Sequence, residues 1–196
     1  TDGDLVDAVL DKAKQKGTGK WTSQHALDVG IPIPSIDAAV TMRALSSLKG
    51  ERLQAESHFG LSFLTPEVDQ EAFVDQVEKA LLFAFILSYA QGLALLAEAS
   101  KEKNFDLDME AIARIWRGGC IIRAALLEDI RQAFDQNQAL VNLLQSPVFT
   151  DRLKEGQAAL RQVLAPAIAA GVPTLTFSSA LAYFDSYRTG RLPLNL

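Results

Sequence analysis

The feature that most constrains the fold is an uncharged run in the middle of the chain, Ala80 to Ala97. A run of 18 residues lies near the lower limit for a helix that crosses a membrane. The run also contains Ser88, Tyr89 and Gln91, and charged residues resume at once on both sides of it. A helix buried on all sides in a large core gives the same pattern. We therefore predict a long core helix, about Gln70 to Glu102, and no membrane span.

Apolar residues recur at helical spacing along most of the remaining chain. No segment shows the sustained two-residue alternation of a strand with hairpin turns. The sequence predicts an all-α fold, a single domain over residues 1–196, and further helices over these ranges: Asp2 to about Lys14, Ser23 to Val29, a helix capped by Ser35, Gly50 to Phe59, Asp108 to Arg117, Cys120 to Gln136, Gln138 to Leu144, Pro147 to Ala170 and Pro173 to Tyr187. Gly17 and Gly19 are expected to end the first helix, and Pro166 to kink or break the helix that contains it.

Charge and cysteine content limit the classes of function. The net charge is −5 and the isoelectric point about 5.1, so the surface has no broad attraction for nucleic acid or for an anionic membrane. The single cysteine, Cys120, cannot form an internal disulfide. The first residues lack the basic start and apolar stretch of a secretory signal. These features predict a cytoplasmic protein that holds any anionic ligand with a few local cations.

The segment Lys16-Gly-Thr-Gly-Lys20 contains the groups that a phosphate site needs. Glycines let backbone N–H groups approach an anion, the Thr18 hydroxyl can donate a hydrogen bond, and a lysine supplies a positive charge. The spacing is not that of a Walker A loop. From the residues alone, the segment is either a phosphate site or a helix C-terminus followed by a basic turn.

Arg43 is a cation within a small, apolar run, Ala38 to Leu45. Such a side chain either extends to water along its aliphatic stem or pairs with an anion. The residues around Arg43 do not decide between these two interpretations.

No other catalytic, cofactor or metal site is predicted. His25 and His58 lack a second histidine or cysteine at ligand spacing. Cys120 has no histidine partner that the sequence can identify, so we interpret it as a buried structural thiol. A G-x-G-x-x-G motif after a strand is absent, and so is a complete acid–base set.

Four stretches together resemble the 6-phosphogluconate dehydrogenase family. They are the run DAVLDKAKQKGTGKW from Asp7 to Trp21, RALSSLK from Arg43 to Lys49, IWRGGCIIR from Ile115 to Arg123, and FSSALAY from Phe177 to Tyr183, which leads to Tyr187-Arg188 and Arg191-Leu-Pro193. They stand in the family's order and span nearly the whole chain.

The resemblance implies an enzyme that oxidises and decarboxylates 6-phosphogluconate to ribulose 5-phosphate with NADP, in the pentose phosphate pathway. It implies that Lys16, Thr18 and Arg43 contact the substrate phosphate, and that the chain is part of the family's helical C-terminal domain, which forms a homodimer. The family's Rossmann domain, which binds NADP, and its catalytic lysine and glutamate would precede Thr1. An arginine and a histidine that reach the partner's site would follow Leu196. The fragment alone is therefore expected to be inactive.

Two alternatives stay open. The chain could be a helical dimerisation module with no ligand of its own. It could also come from a relative among the β-hydroxyacid dehydrogenases that acts on another acid, although a substrate without phosphate has no need of the cations around Thr18.

Overall fold

The fold is built from eight α-helices, and the computed structural model describes residues 3–60 and 66–193. The helices are α1 Thr18–Val29, α2 Pro34–Ser47, α3 Lys49–Phe59, α4 Gln70–Lys103, α5 Met109–Trp116, α6 Leu126–Gln136, α7 Thr150–Ala169 and α8 Leu175–Tyr187. Short 3₁₀ turns occupy Leu5–Ala8, Leu143–Gln145 and Pro147–Phe149. The described residues contain no strand, and the prediction of an all-α fold is confirmed.

Helix α4 forms the centre of the core. Its inward residues, including Phe83, Ile86 and Leu87, are fully buried, and α7 packs along it. Among the described residues, α4 is the one helix long and apolar enough to cross a membrane, and half of its most apolar window is buried inside the fold. Leu82 and Phe85 remain exposed on another face, so the expectation of burial on all sides is wrong for this chain.

Helices α4 and α7 approach each other closely at a glycine. A Cβ placed on Gly156 of α7 would lie 2.5 Å from Cβ of Phe83 and 3.2 Å from the carbonyl oxygen of Lys79. Such distances are shorter than van der Waals contact, so only a residue without a side chain fits between the helices.

A buried hydrogen-bonded pair fixes the start of α2 on α4. Gln91 Oε1 accepts from the Ser35 backbone N–H (2.9 Å), and Gln91 Nε2 donates to Ser35 Oγ (2.9 Å). Both residues are buried, and each satisfies polar atoms that burial would otherwise penalise. The sequence predicts Ser35 as the N-cap of α2, and this prediction is wrong. Ile33 is the N-cap residue, and Pro34 is the first residue of the helix.

The predicted helix from Asp2 to Lys14 is wrong. Only Leu5–Ala8 is helical, as one 3₁₀ turn, and residues 9–17 are irregular. The apolar residues Leu5, Val6 and Leu10 are 70–84% exposed. A short helix gains most of its stability from packing its apolar face, and the described part of this chain offers that face no partner.

Other helix boundaries also differ from the prediction. Residues 120–125 form turns before α6, and Ile121 is 99% exposed, so no core contact supports a helix there. The predicted helix Gln138 to Leu144 is absent, because the side chains of Asn137 and Asn142 accept hydrogen bonds from nearby backbone N–H groups. Pro166 does not end α7, which continues to Ala169.

We predict that Gly156→Ala destabilises the fold by about 1–3 kcal/mol, because the new methyl group forces α7 away from Phe83. Gly92→Ala is the matched control. Its added Cβ meets only Ile36 Cδ1, at 3.9 Å, and alanine is the better helix former by up to about 1 kcal/mol. Urea unfolding of both variants measures the difference. Equal stabilisation by the two substitutions would show that the close approach of α4 and α7 is absent.

Candidate functional site

The segment from Lys16 to Lys20 forms the beginning of α1. Gly17 is the N-cap residue and has left-handed backbone angles (φ 99°, ψ −28°), and no side chain caps this helix end. The first backbone N–H groups of a helix lack an acceptor within the helix, and they attract anions together with the positive end of the helix dipole. The segment is therefore a helix N-terminus, and its interpretation as a helix C-terminus with a basic turn is wrong.

Helix α2, which carries Arg43, packs against α1. A Cβ placed on Gly19 would lie 2.9 Å from Cγ2 of Val40, so the two helices come close where Gly19 has no side chain. Ser23 Oγ donates to Asp37 Oδ1 (2.6 Å) and links the same helices. Arg43 follows Val40 by three positions and lies on the neighbouring part of the same helix face. The N-terminus of α1 thus lies beside the part of α2 that bears Arg43.

Residues 9–17, which we call the strap, run along α2 before α1 begins. Three hydrogen bonds join the strap to α2: Ala13 N to Ser46 Oγ (3.0 Å), Gln15 Nε2 to Val40 O (2.9 Å), and Arg43 Nη2 to the Lys14 carbonyl oxygen. The Arg43 guanidinium therefore contacts the chain two residues before Lys16. Arg43 is exposed, but its guanidinium is bonded to the strap, and it pairs with none of the carboxylate side chains that the structure describes.

The structure brings Lys16, Thr18 and Arg43 to one region of the surface, where they have hydrogen-bond donors available for a ligand. All three residues are exposed. Among the side chains that the structure describes, no carboxylate lies within 4.0 Å of Lys16 Nζ and no acceptor receives a hydrogen bond from the Thr18 hydroxyl. One Arg43 nitrogen bonds the strap, which leaves the rest of its guanidinium for another acceptor. This arrangement can surround an anion with two positive charges, a hydroxyl and the backbone N–H groups of α1.

A second cluster of charges holds the strap farther upstream, and sequence reasoning missed it. Asp11 Oδ1 pairs with Lys49 Nζ (2.8 Å), and Asp11 Oδ2 pairs with Arg52 Nη1 (2.9 Å). Arg52 Nη2 also donates to the carbonyl oxygens of Asp11 and Ser46, both at 3.0 Å. Asp11 and Arg52 are 41 residues apart, and nothing in the sequence distinguishes these charges from ordinary surface residues.

Other features of the surface do not suit a phosphate. A cavity of about 720 Å³ lies between α4 and the 116–126 segment, and its lining is apolar apart from Ser88, the Tyr89 hydroxyl and Arg123. Cys120 is half-buried in the turns before α6. In the part of the chain that the structure describes, no group of three His, Cys, Asp or Glu residues could hold a metal ion.

Comparison with known proteins gives one consistent family. The family model for the 6-phosphogluconate dehydrogenase C-terminal domain matches residues 1–196. The chain is 51% identical over 193 residues to the NADP(+)-dependent, decarboxylating 6-phosphogluconate dehydrogenase of Bacillus subtilis, covering 98% of this chain and 41% of that protein. It is 48% identical over 200 residues to decarboxylating 6-phosphogluconate dehydrogenase 2 of Arabidopsis thaliana, with 100% and 41% covered.

The fold is similar to that of a solved relative. The 6-phosphogluconate dehydrogenase of Plasmodium falciparum superimposes with a TM-score of 0.93 at 42% identity, covering all of this chain and 42% of that one. That enzyme is described in its apo form, with its cofactor NADP+ and with its substrate 6-phosphogluconate. The chain thus spans about two fifths of the length of the relatives that it matches.

The ion pairs of Asp11 predict an unusually acidic carboxyl group. Hydrogen bonds from Lys49 and then Arg52 lower the pKa of Asp11 from 3.8 to about 2. Because the folded-state pKa is depressed, the stabilising effect of Asp11 is complete above about pH 4 and is lost as the pH falls towards 2. An NMR titration of the Asp11 carboxyl carbon measures this pKa, and Lys49→Gln should raise it. A midpoint near 3.8 in the unsubstituted protein would contradict the observed pairing.

Proposed function

The chain belongs to the 6-phosphogluconate dehydrogenase family, as its C-terminal domain, and from this premise we propose that it supplies the substrate-phosphate contacts of a complete enzyme. That enzyme oxidises and decarboxylates 6-phosphogluconate to ribulose 5-phosphate and reduces NADP. The catalytic groups and most of the NADP site would belong to the remaining part of the enzyme. Lys16, Thr18 and Arg43 would hold the phosphate.

The observation that carries this proposal is that the start of α1 lies beside the part of α2 that bears Arg43, whose guanidinium contacts the chain two residues before Lys16. A sugar phosphate bears close to two negative charges at neutral pH. Lys16 offers a positive charge, Arg43 a planar fork of N–H groups suited to two phosphate oxygens, and Thr18 a hydroxyl donor. The positive φ of Gly17 lets the chain turn so that the N–H groups of α1 face the same space.

The phosphate contacts would act mainly on substrate binding. The reaction takes place on the sugar-acid part of the substrate, at a distance from the phosphate group. A contact to a non-reacting group of this kind holds the substrate and the transition state alike, so it lowers KM with little effect on kcat. The relatives named above as NADP(+)-dependent and as complexed with NADP+ support NADP as the cofactor.

Two further parts of the proposal concern assembly and location. The chain leaves several apolar side chains exposed, among them Leu5, Leu27, Phe85 and Ile121. Burial of such surface against a second copy would stabilise a homodimer. We place the enzyme in the cytoplasm, as the single half-buried cysteine and the absence of a disulfide framework favour a reducing compartment.

The alternative function is a helical dimerisation module without a ligand. The same exposed apolar surface favours it. The two hypotheses differ in a simple measurement: in isothermal calorimetry of the complete protein with 6-phosphogluconate, alanine at both Lys16 and Arg43 weakens binding only under the first. Sedimentation that shows a dimer is compatible with both.

We predict that Lys16→Ala or Arg43→Ala in the complete enzyme weakens the binding of 6-phosphogluconate. Loss of one charge-assisted contact costs about 1.5–3 kcal/mol, which corresponds to a roughly 10- to 150-fold increase in KM. The kcat should change much less, because the lost contact binds substrate and transition state alike. Steady-state kinetics with varied 6-phosphogluconate provide the measurement.

Lys20→Ala is the matched control for this experiment. Lys20 is an exposed lysine in the first turn of α1, to which we assign no phosphate contact. Its replacement should leave the KM for 6-phosphogluconate within about twofold of the parent value. Unchanged affinity in both the Lys16 and the Arg43 variants would refute the proposed function.

A further inference from the structure

We propose that Asp11, together with Lys49 and Arg52, positions the phosphate-binding groups by fastening the strap to the end of α2 and the start of α3. This inference rests on the proposed function of Lys16, Thr18 and Arg43. It assigns Asp11 a role in substrate affinity, although Asp11 itself lies five residues before Lys16 and need not touch the substrate.

The strap needs fastening because no helix or strand hydrogen bonds hold it in one conformation. Residues 9–17 contain no helix or strand, and an irregular segment of this length loses considerable conformational entropy when it is held in one position. The ties to α2 at Ala13, Lys14 and Gln15 are single hydrogen bonds. Asp11, in contrast, accepts from two cations through different oxygen atoms and also through its carbonyl group.

Arg52 connects the strap to the helix that bears Arg43. Its Nη2 donates both to the Asp11 carbonyl oxygen and to the Ser46 carbonyl oxygen at the C-terminal end of α2. The Ser46 hydroxyl in turn accepts from Ala13 N–H and donates to the Arg43 carbonyl oxygen (2.8 Å). One guanidinium therefore sets the strap against the last turn of α2, directly after Arg43.

The consequence is a fixed spacing between the phosphate-binding residues of the strap and α1 and the one on α2. Lys16 and Thr18 lie at the end of the strap and the start of α1, whereas Arg43 lies on α2. After Gln15, the last tied residue, only Lys16 and Gly17 precede α1. A shift of the strap along α2 would therefore move Lys16 relative to Arg43, and the hydrogen bonds to a phosphate held between them would become longer and weaker.

The cluster of Asp11, Lys49 and Arg52 positions the strap more than it stabilises the fold. Asp11 is 53% exposed, and Lys49 and Arg52 are 35% and 31% exposed. Exposed ion pairs contribute little to the free energy of folding. The removal of the Asp11 charge should thus leave the fold intact while it loosens the strap, which separates a positioning role from a structural one.

The test is Asp11→Asn in the complete enzyme, which keeps the shape of the side chain and removes its charge. We expect the KM for 6-phosphogluconate to rise roughly 3- to 10-fold, with kcat, the KM for NADP and the melting temperature almost unchanged. Asp11→Glu, which keeps the charge, should recover most of the affinity. Asp129→Asn is the matched control: Asp129 pairs with Arg152 between α6 and α7, and its loss should not alter the KM.

A double-mutant cycle with Lys16 shows whether Asp11 acts through the pocket. In a Lys16→Ala background, Asp11→Asn should raise the KM further by no more than about twofold, because Lys16, the charged group on the strap that it positions, is already gone. The inference is overturned if Asp11→Asn leaves the KM unchanged, if its effect is undiminished in that background, or if kcat, both KM values and the melting temperature all worsen together. An unchanged KM in both Lys16→Ala and Arg43→Ala would refute the proposed function, and the inference with it.

Discussion

The burial of one face of α4 is the constraint on which the other elements depend. This helix is 34 residues long, and its inward side chains have no alternative to an apolar core. Helix α7 can approach closely because Gly156 has no side chain opposite Phe83. Helices α5, α6 and α8 complete the same cluster. The domain thus has a rigid centre to which the functional segment can be attached.

The candidate site is connected to this centre by polar contacts. Gln91, buried on α4, holds Ser35 at the start of α2 through two hydrogen bonds. Helix α2 then carries Arg43 near its other end and provides the acceptors and donors that hold the strap. The Gln91–Ser35 pair specifies one position of α2, since a shift would leave its buried groups unpaired. The position of Gln91 in the core therefore determines, through α2 and the strap, where the first turn of α1 lies.

The sequence predicted the fold class because apolar periodicity is a strong signal in long helices. The extent of α4 was predicted to within one residue at its C-terminal end, where Lys103 takes the place of Glu102. The predictions of a first helix and of a helix over residues 138–144 were wrong, each for its own physical reason. In the former, an apolar face had no described partner. In the latter, asparagine side chains competed for the backbone N–H groups.

The phosphate-binding residues were predicted partly from the chemistry of the Lys16–Lys20 segment and partly from the resemblance to the family. The glycines, Thr18 and the lysines form a local motif, so their potential was visible in the sequence. That Gly17 begins a helix, and that Arg43 bonds the strap, required the fold. The cluster of Asp11, Lys49 and Arg52 gave no signal at all, because it joins common surface residues over a long separation in the chain.

The most direct measurement of the central claim is a crystal structure of the complete enzyme with 6-phosphogluconate bound. Lys16 Nζ, the Thr18 hydroxyl and the Arg43 guanidinium should each lie within hydrogen-bonding distance of a phosphate oxygen, about 2.7–3.2 Å. The phosphate should also face the first N–H groups of α1. A phosphate bound elsewhere, with these three side chains directed to water, would contradict the assignment of the site.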